Sequence, residues 1–264
     1  MTFELLISTM HKNVVQVLDM IKMSNISCDV LVVVQGNIND YREVTKGNQN
    51  IKIFFSKERG LSKSRNMALR NSKADIVLLA DDDLYYYDGF DEIILDAFQK
   101  NDQFEFIIFN VDNYEKSYPR EEKRFFFLNV LGVSSWQIAF KRGDVVNKNI
   151  FFNENFGTGS GMYMSGEENI FLAKCYSYFK MIYLPTKILK RNESKSTWFT
   201  GYDDKFLFDR GAVFYAISPK ISYFLIFQFV VRRKHLFPNY TYFRMLNNMF
   251  SGLKHCRDKN HHMG

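Results

Sequence analysis

Short apolar runs separated by polar, helix-patterned stretches recur along most of the chain. Residues 3–8, 29–34 and 51–55 each read as a strand, with a helix ending at about Met23 between the first two. Ile76 to Ala80 is bounded and continuously apolar, the pattern of a strand covered on both faces. Residues 88–100 read as an amphipathic helix, 105–110 as a strand, 134–141 as a strand entering a second half, and 181–184 as one more. Residues 114–124 are charged and read as a surface loop. The halves meet near residue 100 without a Pro/Gly/Ser linker, which predicts one shared sheet. No internal repeat or low-complexity segment breaks the pattern.

The run at Ile76–Ala80 ends abruptly in Asp81, Asp82 and Asp83. Side chains alternate along an extended chain, so Asp81 and Asp83 point one way and Asp82 the other. Adjacent carboxylates repel unless a positive charge sits among them, and a divalent cation is the usual answer. Ligands of open α/β sheets bind at the strands' carboxyl ends. Upstream, Gly60, Leu61, Ser62, Lys63, Ser64, Arg65 and Asn66 open a helix whose N–H groups and basic side chains suit a phosphate. On its own an acidic triplet is more often a solvated turn; the combination carries the reading.

That combination resembles the donor-binding half of the family 2 glycosyltransferases, with their Asp-X-Asp motif. A second stretch matches independently: Phe152 to Gly157, a loop with Gly159 and Gly161, then Ser165-Gly166-Glu167-Glu168-Asn169. Glu167 and Glu168 also suit a helix start as simple partners of the macrodipole. In the family a Gly-Glu-Asp motif opens the acceptor-side helix and its last acid is the catalytic base. Glu168 stands at that position one methylene longer, and Glu167 is its rival.

The resemblance implies a GT-A, Rossmann-like mixed sheet flanked by helices, with a helical C-terminal extension. It divides the chain into a donor half (1–100), an acceptor half (101–200) and a flap with a basic helical region (201–264). The implied reaction moves a sugar from a nucleotide-diphosphate donor to a hydroxyl of a lipid-linked saccharide, with inversion, in polysaccharide assembly. Asp83 and Asp81 would hold Mn2+ or Mg2+. Thr9, Asp82, Gly60, Ser64, Arg65 and Asn66 would line the donor, and Glu168 would take the acceptor's proton. Gln35 stands where the family usually places an Asp that reads the base; its amide can pair with a pyrimidine edge. Lys190 and Arg191 stand where the family often has a metal-binding His, and either would neutralise the leaving diphosphate. Residues 194–212, including Trp198, read as a flap over the donor or as a packed loop.

Composition narrows the setting. Twenty-seven Phe and fifteen Tyr among 264 residues exclude a disordered or fibrous chain. Cys28, Cys175 and Cys256 are widely spaced and odd in number, which argues against a disulfide framework or zinc site and for a reducing compartment. The first strand pattern starts at Phe3 without a basic leader, so the expected location is cytoplasmic. The net charge of +6 is uneven: from Arg210 onward nine Lys/Arg face Asp258 alone, leaving 26 basic and 28 acidic residues in the rest. That asymmetry points to an anionic partner, and lipid fits better than nucleic acid, for which no module is present. The apolar stretch before Arg232-Arg233-Lys234 is too short to span a bilayer, which takes about 20 residues. It reads either as a core helix or as one lying on the inner face of the plasma membrane. Two other function classes share parts of the pattern. A sugar nucleotidyltransferase would open with a Gly-rich loop after the first strand, absent at residues 9–13; a silent binding subunit would lack the acids found here.

Overall fold

The structure, a computed structural model, describes residues 1–112, 118–191 and 201–261. In chain order it comprises β1 (Phe3–Met10), α1 (Val14–Met23), β2 (Val30–Gln35), β3 (Asp40–Lys46), β4 (Gln49–Ser56), α2 (Leu61–Asn71), β5 (Ile76–Ala80), β6 (Leu84–Tyr86) and α3 (Phe90–Lys100). There follow β7 (Phe106–Asp112), β8 (Lys123–Arg124), β9 (Ile138–Lys141), α4 (Arg142–Asn147), α5 (Glu167–Tyr176), β10 (Met181–Arg191), α6 (Asp204–Ile217), α7 (Ser222–Arg233) and α8 (Tyr242–His261).

One ten-stranded sheet runs through both halves in the order β3-β4-β2-β1-β5-β9-β7-β10-β6, with β8 paired to β10. Strands β4, β2, β1 and β5 are parallel, β9 runs antiparallel between β5 and β7, and β3 and β6 are antiparallel edges. The apolar runs alternate between two cores. Leu5, Ile7, Val32 and Leu78 pack on the α1/α3 side, while Leu6, Val33, Val77 and Leu79 pack on the other face with residues of α2, α4 and α5. Both faces are covered, which is why these strands read as unbroken apolar runs. A third core joins α6, α7 and α8 through Leu207, Phe214, Ile226, Val230, Met245 and Met249.

Several elements differ from the pattern read above, among them the short strands β6 and β8, the latter inside the expected surface loop. β3 is mostly exposed and is held by its backbone ladder to β4, so hydrophobic periodicity carries no trace of it. Residues 135–137 form a 3-10 turn, and the strand begins only at Ile138. β10 continues through polar residues to Arg191, because it pairs with both β6 and β7. The flap expected over residues 194–212 is corrected in its second part: from Asp204 the chain is α6, packed where Gly211 and Gly252 let α6 and α8 meet backbone to backbone. Trp198 and the first part of that flap lie outside the described residues. Residues 114–117 of the expected surface loop do too.

Candidate active site

β2 and β4 lie on one side of β1 and β5 on the other, so the strand order reverses at β1, the point at which open α/β sheets bind ligands in a crevice at the strands' carboxyl ends. Thr9 and the Asp triplet meet there. Thr9 Oγ1 donates to Asp82 Oδ2, and Lys12 Nζ stands 3.2 Å from the same oxygen. Asp82 is thereby turned back onto the β1 loop. Asp81 takes the opposite direction and accepts from Arg65 Nη2 at 3.2 Å. Burial pushes the Asp81 carboxyl up, Arg65 pulls it down, and Asp83 opposes it as a like charge.

Arg65 is 3% exposed, yet no acid on its own helix is its partner. Its Nη1 donates to Glu167 Oε1 at 2.9 Å, and its Nη2 donates to Ser135 Oγ at 2.8 Å as well as to Asp81. Burial lowers the guanidinium's pKa, but Glu167 and Asp81 outweigh it and hold the pKa above its ordinary value. Arg65, expected at a phosphate, ties Asp81 to Glu167 in this structure. Its neighbours also face inward. Gly60 N–H donates to Gln35 Oε1 at 2.7 Å, and Leu61 N–H to Thr158 O at 2.9 Å. Ser64 Oγ donates to Ser8 Oγ, and Asn66 both donates to and accepts from the Phe152 backbone. Leu61 and Asn66 thus join the two halves, while the hydrogen bonds of Gly60 and Ser64 stay within the first. Gln35 is buried with its carbonyl oxygen engaged, so part of the pairing capacity expected for a base is used inside the protein.

Glu167 and Glu168 open α5 behind Gly166, whose φ of 88° suits glycine. A Cβ on Gly166 would sit 2.6 Å from Val213 of α6, so the close approach of α6 fixes the helix start. The two acids differ in surroundings. Glu167 is 5% exposed and bound to Arg65, whereas Glu168 is half-buried. Burial and then the adjacent Glu167 push Glu168 up to about 8, against the pull of Arg65. Arg210 on α6 lies near enough to feel Glu168's charge, stacks on Phe206 at 5.3 Å, and keeps a buried Nε without a hydrogen-bond partner among the described residues.

On the far side, Lys190 lies 4.6 Å from the Tyr85 ring, and Arg191 pairs with Leu84, next to Asp83. Two cationic groups were not singled out by sequence reasoning. Lys12 meets Asp82, and Arg59 reaches Asn37 Oδ1 and His11 Nε2, each at 3.3 Å. Their positions just beyond β1 and β4 are the signal that could have found them. Among the described residues no group of three His, Cys, Asp or Glu gathers as a metal cage. The two-carboxylate set of Asp81 and Asp83 is oxygen-only, which suits a hard dication that keeps water and substrate oxygens in its shell.

The model of glycosyl transferase family 2 matches residues 11–171, a span holding α1 to α4, the Asp triplet and the Glu pair. No curated protein matches the chain. Among solved structures, S. aureus TarS 1–349 in complex with UDP-GlcNAc aligns at a TM-score of 0.57 and 15% identity, covering 82% of this chain and 66% of that one. The same segment in complex with UDP gives 0.55 and 16%, covering 82% and 65%. S. aureus TarS itself gives 0.55 and 16%, covering 81% of this chain and 39% of its own. This chain therefore spans just under two thirds of the TarS segment and well under half of TarS. The shared feature is the fold, a GT-A mixed sheet flanked by helices. By the family model, which spans more than half of it, the chain belongs to glycosyl transferase family 2.

Proposed function

We propose that the protein transfers a sugar from a nucleotide-diphosphate donor to a hydroxyl of a saccharide acceptor, inverting the anomeric centre. The observation that carries this reading is the Arg65 bridge, which brings a strand-end Asp pair and a helix-start Glu pair to one crevice. The donor class is supported by the TarS structures holding UDP-GlcNAc and UDP. Asp81 and Asp83 would hold Mn2+ or Mg2+, and such an ion, when bound, supplies Lewis-acid stabilisation to the leaving diphosphate. Lys12 and Arg59 lie along the same rim and suit the diphosphate's charge, with Lys190 and Arg191 on the other side.

Glu168 accepts the proton of the acceptor hydroxyl as its oxygen bonds to the anomeric carbon and the bond to the diphosphate oxygen breaks. Glu167 is the weaker candidate, because Arg65 occupies it and burial closes it off. The acceptor we favour is a lipid-linked oligosaccharide in polysaccharide assembly, handled at the inner face of the plasma membrane. General-base assistance contributes about 10²–10⁴-fold, so Glu168→Gln should lower transfer by that factor while donor affinity, read by calorimetry, holds. Full activity in Glu168→Gln with loss in Glu167→Gln would move the base to Glu167.

A further inference from the structure

Helices α7 and α8 turn one face into their shared core and leave another open. On α7, Leu225, Ile226 and Val230 are buried, whereas Tyr223, Phe224, Phe227 and Val231 are 50%, 61%, 51% and 68% exposed. At the start of α8, Phe243 is 79% exposed. The two stripes are continuous. The Phe250 ring of α8 lies 5.7 Å from both Tyr223 and Phe227, and Phe243 precedes Phe250 by seven residues on the same side of α8. Cations border this face: Arg232 and Arg233 close α7, and Lys234 follows, 5.8 Å from the Tyr242 ring. From Gly211 to Arg257 the chain holds seven Lys/Arg and no Asp or Glu.

We propose that this face docks the protein on an anionic lipid surface. The aromatic and Val side chains enter the headgroup boundary, and Arg232, Arg233 and Lys234 meet the lipid phosphates. The inference goes beyond the catalytic reading, since none of these residues belongs to the crevice and the chemistry of transfer does not enter it. An exposed apolar stripe bordered at the end of α7 by three successive cations is complementary to a surface that is apolar beneath and negative above. A second copy fits less well, because facing two such patches would bring the Arg232, Arg233 and Lys234 clusters together, and the nearby acid Asp204 is already paired with Arg244. The mode is lying on the surface: no helix among the described residues is long and apolar enough to cross a membrane.

The test is co-sedimentation of the full chain with vesicles of phosphatidylcholine alone or with phosphatidylglycerol, at low and high salt. Binding is expected only with phosphatidylglycerol, weakening as salt rises. Two variants carry the assignment, Phe224→Ser with Phe243→Ser, and Arg232→Gln with Arg233→Gln. All four positions are exposed, so the fold should stand. Each pair is expected to lower vesicle affinity roughly tenfold, while nucleotide-induced thermal shifts stay those of wild type, which separates this proposal from the donor site. Absence of binding to phosphatidylglycerol vesicles at low salt would overturn it, as would variants that bind like wild type. A wild-type dimer that both variants dissociate, without vesicle binding, would assign the face to a second copy instead.

Discussion

Glu168 illustrates how neighbours set the chemistry of one side chain. Burial raises it first and the adjacent Glu167 second, to about 8, so the proton-accepting form is the minority at neutral pH. Transfer should therefore rise with pH and level off above about 8. The linkage to stability runs the other way: the fold favours the neutral acid, so this contribution is whole below the ordinary carboxyl range and is lost as pH rises through about 8. In Glu167→Gln the neighbouring carboxyl is gone, and the rising limb of the pH–rate profile should move to lower pH. A limb that stays in place would show that Glu167 does not set Glu168. The sequence places both acids at a helix start but does not divide their roles. That division comes from Arg65, which lies 102 residues away in the chain and 2.9 Å away in space. Gln35 and Asn66 show the same limit: a polar side chain shows its capacity in sequence, and only the fold shows how much of it is used.

At the scale of elements, the buried strands were legible because burial on both faces writes a continuous apolar run, as at Ile76–Ala80. β3 and β6 were not, since one is an edge strand of mixed polarity and the other has only three residues, too few to write a periodic pattern. The start of α6 was read as flap or packed loop rather than helix because its packing depends on contacts distant in sequence. Gly166 is the nearest of these to the acids. In Gly166→Ala the new Cβ must adopt a left-handed backbone, which costs about 1–2 kcal/mol, and must also displace Val213. Urea unfolding should show a loss of at least that size, and adding Val213→Ala should recover part of it. A Gly166→Ala protein as stable as wild type would contradict the account of how α6 fixes the start of α5.

At the scale of the molecule, the fold and the two motifs were legible in sequence, and their junction was not. Asn66 with Phe152, and Leu61 with Thr158, join the halves across more than ninety intervening positions or nearly so, and Gly60 crosses Gly159 backbone to backbone. One rigid floor thus carries the Asp pair and the Glu pair, and the rim above it is cationic at Lys12 and Arg59. Such a crevice should bind a nucleoside diphosphate through metal and rim together. The most direct measurement is the thermal unfolding of the wild-type protein with UDP, GDP, dTDP or CMP, each with and without Mn2+. A ligand at about 100 times its dissociation constant adds about 2.7 kcal/mol, a shift of several degrees for a chain of this size. The account expects one diphosphate to stabilise strongly, only with the metal, and the shift to shrink in Asp83→Asn. Small, equal shifts for every nucleotide, unchanged by EDTA, would contradict it.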